Sequence, residues 1–101
     1  MGKLIYGAST SEIEMDDRLL AHVQVAIVAK LRRNEPFLLT WDHGPGKEHG
    51  HSSIWISASI PLVFQFSGEK NVTLNRDWVE ALAFSANSAH GLHLLPEPET
   101  K

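Results

Sequence analysis

Between residues 54 and 66 the apolar side chains fall on every even position: Ile54, Ile56, Ala58, Ile60, Leu62, Phe64 and Phe66. The odd positions are mostly small or polar, Ser57, Ser59, Pro61 and Gln65, with Trp55 and Val63 as exceptions. An extended chain points successive side chains to opposite faces, so this rhythm becomes one continuous apolar stripe; a helix would scatter the same residues round its circumference. The middle of the chain is therefore predicted as sheet, with one face in a core and the other half polar. The segment is long for a single strand, and Pro61 has no N–H for a ladder, so residues 57–61 bend it into two short strands or a bulged one.

The same alternation places Leu4 and Tyr6 on one face of a strand over residues 3–7, with Ile5 on the other. Turn chemistry follows in Gly7-Ala8-Ser9-Thr10, and residues 11–15 then set Ile13 and Met15 against Glu12 and Glu14. The two pieces read as an N-terminal hairpin. A helix is predicted over 17–33: Asp16 is placed to accept from the first free backbone N–H groups, and Lys30, Arg32 and Arg33 suit the negative end before Asn34 and Pro36 stop it. Leu20, Val23, Ile27 and Lys30 or Leu31 trace its packing face, with Leu19 and Ala26 beside it. Val25 and Val28 widen that surface beyond one sheet contact, so the helix is either deeply buried or partly covered by a second subunit.

Phe37, Leu39 and Trp41 share a face of a third strand, residues 42–52 read as a Gly/His-rich loop, and 67–71 as a surface turn. A second helix is predicted over 76–88. Asn75 is its N-cap, Leu74 and Val79 hold the staple positions, and Trp78, Leu82, Ser85, Ala86 and Ala89 form its packing face. Gly91 fits a left-handed position at its C-terminus, and residues 92–95 read as a last short strand. The order β-β-α-β-β-(β)-α-β defines an α+β fold, a mostly antiparallel sheet with two helices packed on one face. Residues 1–95 form the single domain and 96–101 a solvated C-terminal tail.

A chain of 101 residues, 43% hydrophobic and 21% charged, suffices for one cooperative core without staples. The absence of cysteine excludes disulfides and thiolate zinc sites and fits a reducing, cytoplasmic setting. No apolar run approaches a membrane span, and the N-terminus lacks a signal-peptide layout, so the sequon at Asn71 reads as coincidence. A net charge of −3 and a pI near 6.0 argue against a general nucleic-acid binder. No cofactor is expected.

Over nearly its full length the chain resembles a family of small actinobacterial proteins that often carry the label "ATP-dependent DNA ligase". The resembling stretches are Met1-Gly-Lys-Leu-Ile-Tyr-Gly7, Asp16-Asp-Arg-Leu-Leu-Ala-His22, Ala29-Lys-Leu-Arg-Arg33, Ser53-Ile-Trp55 and Ser59-Ile-Pro-Leu62, followed by Leu74-Asn-Arg76 with Trp78, Glu80-Ala-Leu82, Ser85-Ala-Asn-Ser88 and Pro96-Glu-Pro98. His51 departs from the family pattern, which has an arginine near the end of the Gly-rich loop. The label implies adenylyl transfer by a nucleophilic lysine in a Lys-x-Asp-Gly motif. Lys3, Lys30, Lys47 and Lys70 all lack that context, and 101 residues cannot hold a full nucleotidyltransferase domain. Ligase catalysis is therefore rejected, leaving an accessory role in DNA metabolism open.

Asp42, His43, Glu48, His49 and His51 are metal-ligand types: His49 and His51 fall on one side of an extended segment, with Asp42 or His43 to close a zinc or nickel set. A solvated, Gly-interrupted loop accounts for the same residues. Ser52 and Ser53 beside these histidines lack the Gly-x-Ser-x-Gly elbow of a hydrolase, and Glu12 and Glu14 read as the wet face of a hairpin. Lys30, Arg32 and Arg33, with Arg18 or Arg76 nearby, are candidate phosphate contacts, although cations at a helix C-terminus stabilise it by about 0.3–1 kcal/mol each without any ligand.

The odd sheet face is more suggestive. Trp55 and Val63, joined by Ile5, Leu38 and Leu95 and interleaved with Ser57, Ser59 and Gln65, have the composition of a contact surface. The expectation is a cytoplasmic, non-enzymatic protein-interaction domain that self-associates, as a homodimer. The alternatives are a nucleic-acid-associated accessory protein using Lys30, Arg32 and Arg33, and a metal-binding loop protein using His43, His49 and His51.

Overall fold

A computed structural model describes residues 2–7, 11–42, 50–68 and 73–98. Strands β1 (Gly2–Tyr6) and β2 (Ser11–Met15) pair antiparallel as the expected hairpin, with Leu4 opposite Ile13. Helix α1 (Asp17–Arg32) follows, then β3 (Phe37–Asp42), β4 (His51–Ile56), β5 (Leu62–Gln65), helix α2 (Arg76–Ala86) and β6 (Leu92–His93). The fold is α+β in the order read from the sequence.

The even-apolar segment does bend, and its two halves enter different sheets. One sheet has the order β2-β1-β5; the other is β4-β3-β6, in which only the β3–β6 pairing is parallel. Helix α1 packs on β1 and α2 on β3 and β6, and the helices pack on each other. Ile56 of β4 is buried and Ile54, Leu62, Phe64 and Phe66 pack around the core. Ala58 and Ile60 lie in the corner between the two strands and stay exposed, so the stripe is interrupted at its centre. The corner is held from β1: the Ser57 N–H donates to the Tyr6 hydroxyl at 3.0 Å and the Gly7 N–H to the Pro61 carbonyl at 2.9 Å.

The helix ends follow their local chemistry. The Asp16 carboxylate accepts from the Arg18 N–H, and the Asn75 side chain accepts from the N–H groups of Asp77 and Trp78. Asn34, at φ 57, ends α1 in the left-handed conformation. Its N–H and that of Glu35 return to the carbonyls of Leu31 and Lys30, the bonding of a Schellman cap. Leu20, Val23, Ala26 and Ile27 are buried, whereas Val25 and Val28 face outward, so this chain alone does not bury the widened stripe.

Several local expectations shift, and the last strand has two residues, Leu92–His93, rather than spanning 92–95. Asp42 belongs to β3 and His51 and Ser52 to β4, paired across the base of what reads as loop; residues 43–49 lie outside the described residues. Helix α2 stops at Ala86, so Ala89 lies beyond it, exposed. Leu74 is about half exposed rather than a covered staple. Gly91 is left-handed, at φ 83, but in the turn that delivers the chain to β6, not at the helix cap. A Cβ there would strike the Leu38 carbonyl oxygen. Gly91→Ala is accordingly expected to destabilise the fold by at least about 2 kcal/mol, read as a lowered denaturant midpoint with unchanged slope.

Candidate interaction surface

The register places the apolar odd-face residues in two separate pairs. Trp55 sits opposite Leu38 across β4 and β3, and Val63 opposite Ile5 across β5 and β1. Trp55 is 59% exposed and Val63 50%, while Leu38 and Ile5 are half covered. Leu95 does not join them: it packs against the core, and its carbonyl accepts the Trp78 indole N–H at 2.9 Å. Beside Trp55 the outer face of the β4-β3-β6 sheet turns polar, with Ser53 of β4 and Thr40 of β3 sharing a hydroxyl hydrogen bond of 2.7 Å and His51 and His93 exposed. A second apolar strip lies on α1, where Val25, Val28 and Ala29 line a shallow groove of about 340 Å³ with Gln24 and Arg32. Phe84 on α2 is 80% exposed and lies outside the alternating stretches of the sequence.

The basic cluster is internally engaged. The Lys30 ammonium is largely covered, donates to the Asn87 side-chain oxygen at 2.8 Å and pairs with Glu35 at 3.3 Å; Arg33 meets the same carboxylate at 3.2 Å. Arg33 and Lys30 together hold the Glu35 carboxyl below its ordinary range. Arg32 is exposed on the groove rim. Of the loop histidines, His51 is exposed at the start of β4 opposite Asp42; His43, Glu48 and His49 lie outside the described residues. Among the described residues no group of three His, Asp or Glu side chains gathers to hold a metal ion.

A buried polar node escapes the reading of the sequence. His22, fully buried on α1, accepts the Asn75 N–H on Nε2 at 2.7 Å, and its Nδ1 lies 2.7 Å from the Arg18 carbonyl, which assigns the neutral ring with its proton on Nδ1. The ring stacks on Trp78 with centroids 4.4 Å apart. Arg18 donates to both oxygens of Glu97, at 2.9 and 2.8 Å, and to the Thr73 carbonyl; the Asn75 amide also donates to Glu97. Residues 96–98 are thus tied to the starts of both helices while Pro96 and Glu97 stay exposed; residues 99–101 of the expected tail lie outside the described residues. The detectable signal was a histidine on the apolar side of a helix, a polar group that must find partners when buried.

A two-helix, two-sheet α+β domain with an exposed tryptophan face is the class these features define. By a family profile that matches residues 1–97, the chain belongs to the family described as a domain of unknown function, DUF7882. No curated protein and no solved structure matches it.

Two outcomes test the node. The bonds from Arg18 and then Asn75 hold the Glu97 carboxyl at about 2, below its ordinary 4.5. A carboxyl depressed on folding contributes stability that is present above its unfolded value and lost as pH falls through the folded one. Glu97→Gln should therefore narrow its stability gap to wild type as pH falls from about 4.5 to about 2, read by urea titration at each pH. Asp17 and Glu35 are also held low and act in the same direction, so the difference between the two proteins is the informative quantity. His22→Leu leaves the buried Asn75 N–H unpaired and should cost about 1–3 kcal/mol in the same titration.

Proposed function

We propose that this domain is a non-enzymatic, cytoplasmic protein-contact module that works as a homodimer through β4 and the outward side chains around Trp55. The observation that carries the reading is Trp55, 59% exposed beside the half-covered Leu38 with a hydroxyl and imidazole rim. Tryptophan is the side chain that gains most from contact burial and is enriched among residues that dominate binding energy. A closed pair of identical copies gives such a side chain a partner most simply.

DNA ligation, the label of the actinobacterial proteins this chain resembles, finds no support in a chain without Lys-x-Asp-Gly. Glu35 occupies Lys30 and Arg33, which weakens the phosphate-contact alternative. Static light scattering tests the proposal: at high micromolar concentration the wild-type chain should show twice its 11.2 kDa mass. Trp55→Ala should weaken dimerisation by about 2 kcal/mol, more than tenfold in the dissociation constant. A wild-type monomer at that concentration would contradict the reading.

A further inference from the structure

The order β4-β3-β6 leaves β4 on the rim of its sheet, with β3 its only strand neighbour among the described residues. On a rim strand, every second residue directs its N–H and C=O away from the neighbouring strand, a template for another chain. Proteins blunt such rims with charge, proline, brevity or cover. The other rims are blunted: β2 presents Glu12 and Glu14, β5 is four residues long and follows Pro61, and β6 has two residues. β4 has six residues, His51-Ser-Ser-Ile-Trp-Ile56, and contains no Asp, Glu, Lys, Arg or Pro.

We propose that β4 is the seam of the dimer, pairing antiparallel with β4 of a second copy about a two-fold axis at Ser53 to give one sheet continuous across both copies. This deepens the self-association reading above and rests on it. A second copy is the occupant because a two-fold seam requires a strand compatible with its own image, each residue meeting its mirror position. Centred on Ser53, the pairing sets Ser53 against Ser53 of the partner subunit and Trp55 against His51 of the partner subunit. Both contacts lie on the outer face, and no like charges meet. The same operation on β2 about Ile13 would set Glu12 against Glu14 of the partner subunit, a destabilising like-charge pair. In a chain of net charge −3, the uncharged rim is where two copies approach with least repulsion.

Residue-resolved hydrogen exchange of the full chain, run from low to high micromolar concentration beside light scattering, tests the seam. The outward amides of residues 53–56 should slow by about tenfold or more as the dimer forms, while those of β2 and β5 keep their rates. Ser53→Lys, which sets two ammonium groups across the axis, should raise the dissociation constant at least about tenfold with an unchanged circular dichroism spectrum. Dimerisation that leaves β4 exchange independent of concentration, or a folded Ser53→Lys chain that dimerises as tightly as wild type, would overturn the seam while self-association stands. A monomer at every concentration would overturn both.

Discussion

The corner at residues 57–61 is the constraint on which the architecture turns. A single strand carrying the full alternation would bury one long stripe against both helices. Instead Pro61 removes a ladder donor, the Ser57 and Ser59 hydroxyls bond to each other at 3.0 Å, and β1 grips the corner through Tyr6 and Gly7. The chain leaves the corner displaced, so β5 completes the sheet of β1 while β4 stays beside β3 alone. That displacement leaves Trp55 in solvent and a six-residue strand on a rim. The surface on which the proposed contact rests is thus a by-product of how the longest apolar segment is broken.

A second constraint joins the helices. His22 satisfies the Asn75 N–H, Asn75 caps α2, and Glu97 draws Arg18 and Asn75 together, so the start of α1, the start of α2 and residues 96–98 share one set of bonds. Among the described residues no buried side-chain nitrogen or oxygen lacks a partner. A buried network of this kind holds elements in one arrangement when it is complete and becomes costly when one member is lost. At the far end Lys30 reaches the Asn87 cap of α2, and Ser85 and Ser88 bond the Gly91 carbonyl, so the helix pair is tied at both ends.

Features with a local cause were legible in the sequence. Period and caps placed both helices, because Asp16, Asn34 and Asn75 act on backbone groups within a few residues of themselves. The N-terminal hairpin and its inward Ile13 and Met15 followed from alternation alone. What depends on distant partners was not. Nothing local distinguishes one bent sheet from two, and the mate of His22 lies fifty-three positions away at Asn75. The anchoring of 96–98 was hidden for the same reason: two prolines and a glutamate carry no local sign of a partner, yet Glu97 meets a guanidinium seventy-nine positions back. The candidate surface was half legible: Trp55 and Val63 are exposed as the odd-face pattern implies, but Leu95 packs against the core.

The proposed role depends on Trp55 meeting a second copy of the chain. The most direct measurement is an isotope-filtered nuclear Overhauser experiment on an equimolar mixture of labelled and unlabelled protein. The account predicts intermolecular contacts from the Trp55 indole to β4 of the partner subunit. A mixture that is dimeric by diffusion yet shows its intermolecular contacts only at Val25, Val28 or Phe84 would contradict it.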